Sequence, residues 1–319
     1  MHIKKPKISI ILVNWNGKKD TLECLASLTR VDYPNFQTIV VDNGSTDDSI
    51  AALRSAYPNM PILETGANLG FAGGNNLGIE WALRHHAEWI LLLNNDTVVD
   101  PRFLQAFLSA AASKPKAKVL GAKILRYSEP GVVDHLGGFW DAKRAEFLSP
   151  DAGQADHPYF NMKQADYVCG AALFMHRSVP ETIGLLEPNF FLYWEETDYC
   201  YRAKRAGFEV WTAPEAKIWH KVSSSFTGGK PHMQYFWWRS RLLWIARNCT
   251  PKEKRDLYLK VIIPEMWKMG RRYFLKCLFA TTPARREKVR RYKAGCAGIF
   301  DYFRGKFGNC PNWLKNQPL

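Results

Sequence analysis

Three times within the first hundred residues, a short unbroken apolar run stops at a cluster of Asn and Asp and then gives way to a helix-compatible stretch. Ile8 to Val13 runs into Asn14-Trp15-Asn16-Gly17, beyond which Leu22, Leu25 and Leu28 fall at helical spacing. Thr38-Ile39-Val40-Val41 ends in Asp42-Asn43-Gly44-Ser45, and a helix is predicted from Thr46 to about Ala56. Trp89 to Leu93 ends in Asn94-Asn95-Asp96-Thr97, with Asp100-Pro101 set to cap the next helix. A run so nearly continuous in apolar residues needs burial on both faces, which a parallel sheet flanked by helices provides. The repeating order of strand, polar loop and helix predicts an α/β fold with a mainly parallel, doubly wound sheet. Ligands of such sheets bind beyond the carboxyl ends of the strands, where these Asn/Asp loops lie.

Further along, a strand is predicted from Lys118 to Ile124, an irregular stretch over 125–165, a second strand from Asp166 to Met175, and a helix from Thr197 to Ala206 before Gly207. Beyond Gly229 the chain turns aromatic and basic, starting at Tyr235-Phe236-Trp237-Trp238-Arg239. Residues 1–229 carry 23 Lys/Arg against 25 Asp/Glu, whereas residues 230–319 carry 21 against 5, so the whole basic excess sits in the last part. This predicts a catalytic domain over 1–229 and a basic helical appendage over 230–319, with an anionic surface as the appendage's partner. The seven cysteines form no Cys-x-x-Cys pair and are odd in number, which suits a reducing cytoplasm better than a disulfide framework or a zinc ribbon. Met1 to Lys7 does not read as a signal peptide, and no run is long and apolar enough to predict a spanning helix.

Four polar clusters invite a chemical reading beside a bland one. Asp42 is either a turn aspartate or a carboxylate accepting from a pyrimidine imide or a ribose hydroxyl; its place at a strand's carboxyl end favours the second. Asn68-Leu69-Gly70-Phe71-Ala72-Gly73-Gly74-Asn75-Asn76 lacks the spacing of a dinucleotide fingerprint, but its small residues and amides suit close approach to a phosphate or sugar. Asp96 closes the third ligand-facing loop and supplies the carboxylate that a hard divalent cation on a diphosphate needs. His220, in Ile218-Trp219-His220-Lys221, is the candidate second ligand. Tyr193-Trp194-Glu195-Glu196-Thr197-Asp198 packs three carboxylates behind an aromatic run, and both features raise a carboxyl pKa towards the range of a general base.

Together with Ser9 to Asn16, Gly170-Ala171-Ala172 and Trp219-His220-Lys221, these segments resemble glycosyltransferase family 2, the inverting enzymes of GT-A fold, and most closely its bacterial rhamnosyltransferase-like and galactofuranosyltransferase-like branch. The resemblance covers roughly residues 8–225. It implies that Asn14, Trp15 and Asp42 cradle the base and ribose, that Asn68, Gly70, Asn75, Asn76, Asn94 and Asn95 lie along the nucleotide or donor sugar, and that Gly170, Ala171 and Trp194 face the acceptor. It implies further that Asp96 and His220 hold Mg²⁺ or Mn²⁺. Glu196 falls at the position of the base, with Glu195 beside it and Asp198 as a rival. The family's Asp-x-Asp is Asn94-Asn95-Asp96 here, and its Glu-Asp is Glu195-Glu196, so this chain has one carboxylate in the first motif and a longer side chain in the second.

The implied activity is metal-dependent hexosyl transfer, with inversion, from a nucleotide-diphosphate sugar. dTDP-rhamnose comes first and UDP-hexoses next as donor, and a glycan, in particular a lipid-linked one of cell-surface polysaccharide synthesis, is the acceptor. The basic C-terminal helices, amphipathic from Asp256 to Leu278 with a kink expected at Pro264 and followed by the basic cluster Arg285 to Arg291, then read either as packing on the domain or as lying on the cytoplasmic face of a membrane. A nucleic-acid partner fits poorly, because the main domain is neutral to acidic. A sugar-1-phosphate nucleotidyltransferase would place a Gly-rich basic loop after the first strand, which Asn14-Trp15-Asn16-Gly17 is not, and an inactive sugar-nucleotide-binding relative is the other alternative.

Overall fold

The apolar runs become strands buried on both faces, in a computed structural model that describes residues 5–221, 230–278 and 281–315. The first half alternates β1 (Ile8–Asn14), α1 (Lys18–Leu28), β2 (Phe36–Asp42), α2 (Ser49–Ala56), β3 (Ile62–Glu64), α3 (Gly70–Arg84) and β4 (Trp89–Asn94). Strands β3, β2, β1 and β4 lie side by side and parallel. Along β1, Ile8, Ile10 and Leu12 join a core with α1, while Ile11 joins a second core on the opposite face with α3. That two-sided burial is why the run carries no polar alternation.

The second half departs from a purely parallel plan. It comprises β5 (Thr97–Val99), α4 (Phe103–Ser113), β6 (Ala117–Arg126), three short strands β7 (Val133–His135), β8 (Phe139–Asp141) and β9 (Glu146–Leu148), then β10 (Ala172–His176), α5 (Ser178–Ile183), α6 (Glu195–Arg205) and β11 (Glu209–His220). The sheet order is β3-β2-β1-β4-β10-β6-β11-β5, with β7 on β6. Strand β10 inserts antiparallel between β4 and β6. The strand predicted from Asp166 thus begins only at Ala172, because the preceding segment serves the site instead of the sheet. Two residues separate β4 from β5 in the chain, yet the two stand four places apart in the sheet, so the sheet must curl. The pairing of β5 with β11 sets His220 opposite Thr97.

The C-terminal helices are α7 (Pro231–Asn248), α8 (Pro251–Leu257), α9 (Ile263–Cys277), α10 (Pro283–Phe303) and α11 (Asn312–Lys315). The boundary expected at Gly229 falls outside the described residues, but α7 is no appendage. Tyr235, Trp244 and Arg239 on it are fully buried, and its aromatic residues share a core with Ala145, Phe190 and Trp194 of the preceding domain. Each large apolar side chain so buried contributes about 1.5–3 kcal/mol. Gly295 and Gly298 let α10 lie close on α7: a Cβ at Gly298 would stand 2.2 Å from the Tyr235 carbonyl oxygen. The kink expected at Pro264 takes the form of a π-helical turn over Tyr258–Ile262 immediately before it, which accommodates the bond that the missing proline N–H cannot make. Among the described residues no helix is long and apolar enough to cross a membrane.

Candidate active site

The loops after β1, β2 and β4 are knitted together by their own polar side chains. Asn14, fully buried, donates through Nδ2 to Asp42 Oδ1 at 2.8 Å and to Ser45 Oγ at 3.0 Å, and its Oδ1 accepts from Thr21 Oγ1 at 2.8 Å. Asp42 Oδ2 accepts from the Ser45 backbone N–H at 2.9 Å, and Asn95 Nδ2 donates to Thr21 Oγ1 at 2.7 Å. Each Asp42 oxygen therefore has an internal partner, and Asp42 is buried, so what the structure shows of it is a brace between two loops. Trp15, by contrast, presents an exposed indole at the rim of the same loops.

The Gly/Asn-rich segment divides between site and scaffold. Gly70 begins α3 at φ +74°, and a Cβ there would stand 2.3 Å from the Phe191 carbonyl oxygen, so only glycine permits the approach of Phe71 N–H to that oxygen at 2.7 Å. Asn68 Oδ1 accepts from Gly70 N–H at 2.8 Å. Gly74 and Gly78 make room for Val13 and Ile11 of β1, which is helix-on-strand packing and not phosphate contact. Asn76 exchanges two hydrogen bonds with the backbone of Leu186, and Asn75 donates to the Phe71 carbonyl in its own helix. Both were expected along the donor; the Asn76 amide is engaged on both sides by the Leu186 backbone, whereas Asn75 gives one N–H to its own helix. Asn43, given no role from sequence, holds the segment by donating to Asn68 Oδ1 and the Gly70 carbonyl and accepting from Leu69 N–H. Its place next to Asp42 was the signal that could have found it.

Asp96 and His220, far apart in sequence, meet with His220 Nε2 3.1 Å from Asp96 Oδ1. Asn94 Nδ2 stands 3.4 Å from the same imidazole nitrogen. The strand pairing of β11 with β5 causes the meeting, and both side chains are largely buried. A carboxylate and an imidazole converging in this way fit part of the shell of a divalent cation. Among the described residues no third His, Cys, Asp or Glu joins them, so the pair suits an ion whose other positions are filled by diphosphate oxygens and water, not an all-protein cage.

Across the Gly170-Ala171 step lies the acidic cluster. The Ala171 carbonyl accepts from Asn94 N–H at 3.0 Å, and Gly170 lies over Glu196, whose charged form its N–H favours. Gly170 and Ala171 thus tie the end of β4 to the start of α6. The approach to α6 is strained: Phe191, Tyr193 and Trp194 all have φ between 64° and 73°. Such conformations cost of order 1–3 kcal/mol each and persist only where the surroundings impose them. Here α7 does so, as Ser240 Oγ and the fully buried Arg239 donate to the Phe190 carbonyl, and Ser240 also reaches the Leu192 carbonyl at 3.0 Å.

The three carboxylates of this cluster differ sharply. Burial pushes the Glu196 carboxyl up to about 7, against the pull of the N–H groups of Glu196, Thr197 and Gly170. Burial and then repulsion from Glu196 push Glu195 well above the usual carboxylate range. One oxygen of each, together with the Trp194 indole N–H, is buried without a hydrogen-bond partner. Glu196 and Thr197 line a cavity of about 150 Å³ walled by Tyr193, Trp194, Phe147, Tyr167 and Trp237. Asp198 is removed from the catalytic set: it points to the far side of α6, where it accepts from Arg202 Nε at 2.9 Å, Arg247 Nε at 3.0 Å and Asn248 Nδ2 at 2.9 Å. With its lone pairs engaged by two guanidinium groups and an amide, it fastens α6 to α7.

The described geometry matches known proteins in sequence and fold. The family model for glycosyl transferase family 2 matches residues 9–181. A low-salt glycan biosynthesis hexosyltransferase of Haloferax volcanii is 28% identical over 64% of this chain, which spans 63% of that protein's length. An N-acetylglucosaminyl-diphospho-decaprenol L-rhamnosyltransferase of Mycobacterium tuberculosis is 26% identical over 76% of this chain and 89% of its own. Among solved structures, a mannosyltransferase from Pyrobaculum calidifontis in complex with GDP-Man and Mn²⁺ superposes with a TM-score of 0.59 at 15% identity, covering 95% of this chain and 89% of the other. Staphylococcus aureus TarS 1–349 in complex with UDP does so with 0.52 at 15% identity, over 94% and 92%. The fold is GT-A, with a mixed sheet, and the chain belongs to glycosyltransferase family 2.

Proposed function

We propose that the protein is an inverting hexosyltransferase in which Glu196 is the base, working on a nucleotide-diphosphate sugar held over the ends of β1, β2 and β4. The observation that carries this reading is the buried Glu196 carboxylate, one oxygen unpartnered at the wall of the cavity and its pKa near neutrality. A base poised near ambient pH combines a useful ionised fraction with a useful affinity for the proton. In the step itself the acceptor hydroxyl oxygen bonds to the anomeric carbon from the side opposite the diphosphate. The carbon–oxygen bond to the diphosphate breaks with its electron pair, and the hydroxyl proton passes to Glu196 Oε2. Glu195, its carboxyl raised well above the usual range by burial and by Glu196, favours the neutral form beside the base. Asp96 and His220 would hold Mg²⁺ or Mn²⁺, which when bound neutralises charge on the leaving diphosphate.

The names of the relatives support a rhamnosyl or hexosyl donor, with dTDP-rhamnose first and UDP-hexoses next, and a lipid-linked glycan as acceptor. Nucleoside-diphosphate release is measured across a donor panel with and without Mn²⁺, for the native protein and Glu196→Gln. Loss of the base lowers turnover by about two to four orders of magnitude while nucleotide binding survives. A Glu196→Gln protein that keeps most of its turnover removes the assignment. Absence of release from every donor favours an inactive sugar-nucleotide-binding relative.

A further inference from the structure

We infer that the outer face of the rod formed by α8, the π turn and α9 docks on an anionic lipid bilayer. The sequence leaves open whether the apolar residues of this segment pack inward. The structure answers with two faces. Leu257, Ile262 and Met269 are buried, whereas Leu259, Ile263, Trp267, Phe274, Leu275 and Leu278 stand out, with Leu259 61%, Trp267 66% and Phe274 66% exposed. Steps of three and four residues put the outward set on one side of the rod, a stripe that runs for about 28 Å along the axis. An apolar stripe this long on a soluble surface marks an interaction site.

Charge selects the occupant. Lys260, Lys268, Arg271 and Arg272 flank the stripe and are exposed, and α10 brings Arg285 to Arg291 beside the end of α9. At the other end Lys143, Lys260 and Lys268 line an open groove of about 280 Å³, in which the one carboxylate, Glu265, is already paired with Arg241. A second copy of the chain would oppose like charges on this face, and an apolar stripe has no use on a nucleic-acid backbone. A bilayer offers both partners at once, acyl chains for Trp267 and Phe274 and anionic headgroups for the lysines and arginines. The inference stands on surface chemistry and does not rest on the mechanism proposed for Glu196.

Flotation of the full-length protein with phosphatidylcholine vesicles, with and without phosphatidylglycerol, reads binding without turnover, so its failure and that of the catalytic reading are separable. The protein floats with the anionic vesicles, floats less when they are neutral and partly detaches in high salt. Trp267→Glu with Phe274→Glu lowers partitioning by about tenfold or more, with the melting temperature and nucleotide binding unchanged. Failure of the native protein to float, or equal flotation of the double variant, overturns the inference. So does light scattering that shows a dimer dispersed by the same two substitutions, or capture of single-stranded RNA that they abolish.

Discussion

The two sides of the site are built to opposite specifications. On the donor side, Asn14, Thr21, Asp42, Ser45 and Asn95 satisfy one another in a closed network before any ligand arrives. On the base side, oxygens of Glu195 and Glu196 and the Trp194 N–H are buried without partners at the end of a strained turn. A satisfied polar network fixes geometry at little cost, whereas an orphaned buried carboxylate costs stability and keeps its reactivity. On the reading proposed above, the donor side positions and the base side reacts. Within the base side the same contrast recurs on one helix, between Glu196 with a free oxygen and Asp198 with none.

That contrast can be broken experimentally. Asp198→Asn leaves Arg202 and Arg247 facing an uncharged group and is expected to cost about 3–5 kcal/mol of stability in chemical denaturation, while the pH profile of the surviving folded enzyme is unmoved. A shifted profile would return Asp198 to the catalytic set. A smaller effect sharpens the reading of Glu196. Since the ionised form is the base, kcat/KM should fall about tenfold for each pH unit below 7 and level off above it. The stability sign runs the other way. Glu196 binds its proton more tightly in the folded state than its ordinary value of 4.5, so folding is favoured at low pH and loses that contribution between about pH 4.5 and about 7. Melting temperatures of the native protein and Glu196→Gln should diverge over that interval; parallel curves would mean that the group titrates normally. Smallest is Asn76→Ala, expected to cost about 1 kcal/mol of stability and to leave the donor KM unchanged. A raised KM would put Asn76 back on the donor.

Much of this was legible in the sequence for a physical reason. Strands β1, β2 and β4 are buried on both faces, so their apolar runs and the polar loops that end them could be read directly. The convergence of Asp96 and His220 was expected through the family resemblance, and the pairing of β11 with β5 delivers it. What stayed hidden depends on partners distant in the chain. Glu196 and Asp198 are chemically alike in sequence, and of the partners that distinguish them only Arg202 is near in the chain, while Arg247 and Asn248 lie some fifty residues on. Asn76 looked like a ligand because its partner Leu186 is more remote still. The antiparallel direction of β10 leaves no local mark. Helix α7 read as part of an appendage because the chain turns aromatic and basic there, yet Arg239 lies buried against the rings of Tyr235, Phe236 and Phe307.

Arg239 and Ser240 grip the carbonyls of Phe190 and Leu192, and this bears on the order in which the protein acquires its parts during synthesis. A ribosome delivers the donor loops first, and they can close their network as soon as β4 and α1 have emerged. The base, although encoded well before α7, cannot be seated until residues up to Asn248 have left the exit tunnel. On the reading proposed above, a nascent chain assembles the loops that would hold a nucleotide before it can seat the group that would act on it.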